Sequence, residues 1–182
     1  MEQETSCGRF GLEIHGGHVS SHQSVLAAQR GEGAEFHELV CSYDAIVMQV
    51  ALTLTASEVA AQEIYCRVFT DAFASINQLD SSSSVFIWLY RILVRHCLEY
   101  CRRSSVDGSS FAEIDSAPRM ARALIALPPT ERVVFQLKQF QRLKIRTLAE
   151  IFNATPEFII KTLLSAIERL RGQLKSVPHH LA

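Results

Sequence analysis

The sequence predicts an all-α protein of two small helical domains, and three observations predict it. Apolar residues recur at three- and four-residue intervals through most of the stretch from Phe36 to Leu174, the period of helices with one buried side. No β-rich run, phosphate-cradling glycine loop or internal repeat interrupts that pattern. A segment rich in Ser, Gly and Asp at 104–118 divides it in two. The expected architecture is a bundle of three to four helices joined by a short linker to a C-terminal helix-turn-helix module. The boundaries fall at 1–34 (N-terminal extension), 35–103 (first domain), 104–118 (linker), 119–175 (second domain) and 176–182 (tail).

The elements follow in order. Residues 1–34 are rich in Gly, Ser and His without a sustained period and read as an extension. Phe36, Leu39, Val40, Tyr43, Val47, Val50 and Leu54 then form the stripe of a first helix. Thr55 and Glu58 have capping-box spacing, and Ala61, Ile64, Tyr65, Val68, Phe69, Ala72, Phe73 and Ile76 continue as a second stripe, which Asp80 and the serines 81–84 stop. A third helix runs from about Val85 to Arg103 with Phe86, Leu89, Leu93, Cys97 and Tyr100 on its apolar side. In the second module, Leu127-Pro128-Pro129 separates a short helix from one carrying Val133, Val134, Leu137 and Phe140. A short helix over 147–152, a tight turn at Asn153-Ala154-Thr155 and a final helix from Pro156 to about Leu174 complete a helix-turn-helix outline.

Composition bounds the function. With 182 residues and 48% hydrophobic side chains, the chain can fill one ordinary core or two small ones. It holds no run of about 18 apolar residues and no basic start followed by an apolar stretch, so neither membrane insertion nor a secretory signal is expected, and the predicted location is cytoplasmic. The five cysteines (Cys7, Cys41, Cys66, Cys97, Cys101) lack CxxC spacing and read as reduced core thiols. No nucleophile–base pair or carboxylate pair has catalytic context, so no enzyme activity and no cofactor are predicted. Cys7, His15, His18 and His22, with His179 and His180 at the far end, fit no standard zinc spacing, and no metal site is expected.

Net charge is only −1, but it is unevenly spread. Residues 36–85 carry one basic side chain against six acidic ones, 86–103 carry four against one, and 119–182 carry eleven against four. Two basic surfaces of the sign needed for phosphate contact follow. On the third helix Trp88, Arg91, Arg95 and Arg102 repeat at helical steps opposite the apolar stripe, with Arg103 beside them. Such a face can neutralise phosphates while an aromatic group or the loop Asp80–Ser84 holds an unstacked base. In the second module Lys138, Arg142, Lys144 and Arg146 cluster ahead of the final helix. That helix shows Glu157, Lys161, Thr162, Ser165 and Glu168 on its outer face, and Phe158, Ile160 and Leu164 widen its apolar stripe past the buried Ile159, Leu163 and Ile167.

From Ser57 to Arg103 the chain resembles the second conserved region of extracytoplasmic-function sigma factors. Ser57-Glu58-Val59-Ala60-Ala61-Gln62-Glu63-Ile64-Tyr65 is similar to the family's A-E-D-x-x-Q-E-x-F run, and Trp88-Leu89-Tyr90-Arg91-Ile92 to its W-L-Y-R-I signature. Leu127-Pro128, Arg132 and Phe135 resemble the L-P-x-x-x-R-x-x-F entry into the fourth region, with no gap needed from Leu127 to Arg171. The departures are Val59 for an acidic residue, Arg95 for Asn, Arg142 for Gly and the apolar final helix.

The resemblance implies an alternative sigma factor without enzyme activity. Glu58, Gln62 and Glu63 would dock on RNA polymerase core; Trp88, Arg91, Arg95, Arg102 and Arg103 would engage the −10 region of promoter DNA; Lys138, Arg142, Lys144, Arg146, Glu157, Lys161, Thr162 and Ser165 would meet the −35 region or its backbone. An anti-sigma factor is an expected further partner. The alternative is a sigma-like regulator that binds such a protein through its apolar last helix without initiating transcription.

Overall fold

The computed structural model describes residues 33–79, 83–107 and 118–175, and among them every regular element is helical. Helix α1 spans Gly33–Thr55, α2 Glu58–Ser75 with a 3-10 turn at Ile76–Gln78, and α3 Val85–Asp107. The second module holds α4 (Arg119–Ile125), α5 (Pro129–Gln139), α6 (Ile145–Phe152) and α7 (Pro156–Lys175). The first helix starts inside the expected extension, and α3 continues four residues past the expected Arg103. Loop residues 80–82, most of the expected linker, and the tail with His179 and His180 lie outside the described residues, as do Cys7, His15, His18 and His22.

Local chemistry fixes the joints. Ser57, not Thr55, is the N-cap of α2: it has extended backbone and its hydroxyl accepts from the Ala60 N–H at 3.4 Å. The buried Thr55 hydroxyl instead sits 2.9 Å from both Ala51 O and Ser57 O and accepts the Ser57 N–H, closing the turn from within. Ser84 caps α3 by accepting the Ile87 N–H, and Pro129 opens α5 at a position where no N–H is needed. Asn153 ends α6 in the left-handed region (φ 48°), its N–H on Glu150 O and that of Ala154 on Ala149 O, and Thr155 then caps α7 through the Phe158 N–H.

In the first module α1 packs on α2, α2 on α3 and α1 on α3; in the second, α7 packs on α4, α5 and α6. The two modules are not separate bodies. α3 also packs on α5 and α6, and α1 on α5, so one core runs from Val50, Leu54, Val68 and Leu93 to Val133, Leu137, Leu148 and Ile159. A smaller cluster of Leu124, Leu127, Ala166 and Leu170 holds α4 to α7. Of the thiols, Cys97 and Cys101 are buried, and burial pushes both above the ordinary cysteine range. Cys41 and Cys66 are exposed, contrary to the expectation of core thiols, because each lies on the flank of its helix away from the bundle.

The stretch Phe36–Thr55 reaches the length and mean hydropathy at which a helix can cross a membrane, a test that the core helix of a bundle also passes. Here Leu39, Val47, Val50, Ala51 and Leu54 point into the bundle.

Candidate nucleic-acid interface

The site is built on α3. Leu89, Leu93 and Cys97 are buried, which fixes the rotation of the helix and leaves Arg91, Arg95 and Arg102 exposed along one line. Trp88 is half-buried at the head of that line and packs against both Leu39, Ile76, Leu79 and Val85 and the main core. Trp88, Arg91 and Arg95 line one wall of an open groove of about 630 Å³, and Asp71, Ser75 and Gln78 from α2 and its 3-10 turn line the other. The groove is amphipathic, with an aromatic ring and two guanidinium groups at hand for a base and its phosphates.

Arg95 does not stand free. Its guanidinium pairs with Asp71 Oδ2 at 2.5 Å, and the same oxygen is 2.8 Å from His96 Nε2. The His96 hydrogen bond first, with the neighbouring Arg95 guanidinium adding to it, holds the Asp71 carboxyl below its ordinary value. Neither Asp71 nor His96 is evident in the sequence: they lie 25 positions apart, and no local spacing marks such a pair.

Arg91 is also engaged. Its Nε and a terminal nitrogen donate to Glu150 O, at 3.2 and 2.9 Å, across the module boundary. Arg103 lies off the line: it pairs with Glu99 at 3.3 Å and, with Glu63, Arg67, His96 and Tyr100, lines a smaller cleft of about 240 Å³ toward α2. Seven residues from Arg102 would have kept it on the line; one residue turns it about 100° away.

On α2, Glu58, Gln62 and Glu63 are all exposed, and Val59 beside them is 81% exposed. Glu63 forms an i,i+4 ion pair with Arg67 at 2.7 Å.

In the second module Arg142, Lys144 and Arg146 are exposed in the turn before α6 and its first helical turn. Lys138 donates to Leu143 O at 3.1 Å and ties the same turn to α5. Arg142 has φ 52°, a left-handed conformation that costs a side-chain-bearing residue energy. On α7, Glu157 and Lys161 face outward with Phe158, Ile160 and Leu164. Thr162 and Ser165 do not. Thr162 is buried with its hydroxyl on Phe158 O, and Ser165 donates to Glu131 of α5 at 2.9 Å, because α5 covers that flank of α7. Among the described residues no group of three or more His, Cys, Asp and Glu side chains is placed to hold a metal ion.

No protein-family profile and no curated protein sequence matches the chain. Solved structures do. CnrH, in its complex with the cytosolic domain of CnrY, superposes with a TM-score of 0.69 at 18% identity, over 87% of this chain and 99% of that one. The sigma factor RpoE, in complex with the anti-sigma factor NepR from Bartonella quintana, superposes with a TM-score of 0.59 at 17% identity, over 79% of this chain and 99% of that one. The chain therefore shares the fold of these two structures, over both modules.

Proposed function

We propose that this chain is an alternative sigma factor, a cytoplasmic and non-enzymatic subunit that binds RNA polymerase core and directs promoter-specific initiation. The observation that carries the reading is the line of exposed Arg91, Arg95 and Arg102, headed by the half-buried Trp88, beside an open groove, on a fold shared over nearly the whole of two solved structures, one of them a named sigma factor. In this reading α2 docks on core through Glu58, Gln62 and Glu63. The α3 line and groove take the −10 region and its opened strand, with phosphate neutralised by arginine and a base held against Trp88. Lys138, Arg142, Lys144 and Arg146 hold the −35 region through its backbone, since the exposed side chains in the first two turns of α7 include only Glu157 and Lys161 for reading base edges.

Protein binding to α7 is supported by Phe158, Ile160 and Leu164, which remain exposed on a helix otherwise well packed. An anti-sigma factor is the partner of that class, as the neighbouring RpoE structure has one. A regulator that occupies such a partner without initiating transcription is the second reading, favoured by the same three side chains. Purified chain plus core polymerase is expected to yield discrete transcripts from its own upstream region, and Arg102→Glu to reduce them. Core binding or anti-sigma binding with no transcript from any native promoter selects the second reading.

A further inference from the structure

The groove beside Trp88 carries its own anion. Asp71 stands on the α2 wall and Arg95 on the α3 wall, and their ion pair at 2.5 Å ties one wall to the other. Seven positions separate Arg95 from Trp88, which places the tie about 10 Å along the α3 axis from the aromatic end. A single strand laid along the groove from Trp88 meets the tie within that distance.

A pair at a surface is ordinarily weak, because water screens it and two free side chains lose entropy in meeting. The Arg95 side chain is 62% exposed and that of Asp71 41%. His96 changes the balance for one partner. Its side chain is only 10% exposed, and its Nε2 lies 2.8 Å from the same Oδ2 that Arg95 uses, so a buried group anchors the carboxylate whether or not Arg95 is in place. Asp71 is also ionised at neutral pH, since its carboxyl titrates below the ordinary value. The result is a fixed carboxylate facing a mobile guanidinium. A carboxylate oxygen offers arginine the same charge-assisted hydrogen bond that a phosphate oxygen does, so the two anions compete for one cation.

We propose that Asp71 is a built-in counter-ion of the groove, positioned by His96, which occupies Arg95 in the free chain and must be displaced before Arg95 takes a nucleic-acid phosphate. This rests on the reading of the groove as a nucleic-acid site. The consequence is selectivity. A lone anion gains little by displacing Asp71, whereas a strand already held at Trp88, Arg91 and Arg102 presents its phosphate to Arg95 at high effective concentration.

A double-mutant cycle tests the displacement. The natural chain, Asp71→Asn, Arg95→Gln and the double variant are titrated with a short labelled single-stranded DNA, followed by fluorescence anisotropy without polymerase. Asp71→Asn is expected to bind about fivefold more tightly than the natural chain, and most of that gain should vanish in the Arg95→Gln background. Removal of a negative charge that merely repels DNA would give the same gain in both backgrounds. That additive result, no gain from Asp71→Asn, or no binding by any of the four proteins overturns the proposal. Asp71→Ser runs the same cycle should Asp71→Asn fail to fold. His96→Leu, which leaves Asp71 charged but unanchored, is expected to show part of the gain; affinity equal to that of the natural chain removes His96 from the device. Transcription with core polymerase separates this inference from the sigma-factor reading. A non-additive cycle with no transcript from any of the four proteins keeps the counter-ion and removes that reading, and promoter-specific transcripts with an additive cycle do the reverse.

Discussion

At Arg142 the backbone has φ 52°, a region that disfavours any side chain, and the resembled family carries Gly at this position. A long cation kept on a strained turn is an argument for its charge, since Gly would hold the same turn without strain. Arg142→Gly is expected to raise stability by about 1 kcal/mol in urea unfolding, and to weaken DNA binding while lowering the salt slope by about one unit. Ala56, with the same φ of 52° in the turn between α1 and α2, is the control: Ala56→Gly should gain a similar amount with DNA binding unchanged. Unchanged binding in Arg142→Gly would remove this residue from the interface. Asp71 supplies the pH-dependent counterpart. Its carboxyl titrates below the ordinary 3.8 in the folded chain because of His96 and Arg95, so its contribution is complete above that value and is lost as pH falls through the lower folded value. The stability gap between the natural chain and Asp71→Asn should close as pH falls below about 4.

At the scale of the element, period and cap chemistry made the helices legible, and long-range packing is what they could not carry. The stripe Phe86, Leu89, Leu93, Cys97, Tyr100 locates α3 and its inner face correctly, yet Tyr90, Val94 and Cys101 on the adjoining side are buried as well. A helix buried over so wide an arc has neighbours on more than one side, and in α3 these are α5 and α6 as well as α1 and α2. The sequence places Arg91 on the right face, but its partner is a backbone carbonyl 59 positions away that no side-chain pattern marks. Likewise the conformation at Ala56 lets Ser57 rather than Thr55 cap α2. On α7 the reading holds better, since Ile159 and Leu163 are buried while Phe158, Ile160 and Leu164 are exposed. Ile159→Ala should therefore cost about 3 kcal/mol, and Leu164→Ala should stay within about 0.5 kcal/mol, in denaturant unfolding. A comparable loss at Leu164 would mean that its side chain is covered in solution.

For the whole molecule, the sequence divides the chain at its Ser- and Gly-rich segment, whereas the described residues share one core across that division. Two modules joined by a flexible connection would unfold independently, each reporting only on itself; modules that bury side chains against each other unfold together, to the extent of that burial. The single tryptophan makes this measurable, because Trp88 sits in the first module while backbone ellipticity reports on all seven described helices. Leu148 is fully buried in α6, the helix that packs on α3. Leu148→Ala removes side-chain contacts in the second module and in the seam, and is expected to cost about 3 kcal/mol. If the seam is closed in solution, Trp88 fluorescence and ellipticity follow one urea transition, and Leu148→Ala shifts both midpoints together. A Trp88 transition that stays in place while part of the ellipticity is lost earlier would show that the second module melts alone, and that the shared core contributes little to holding the first.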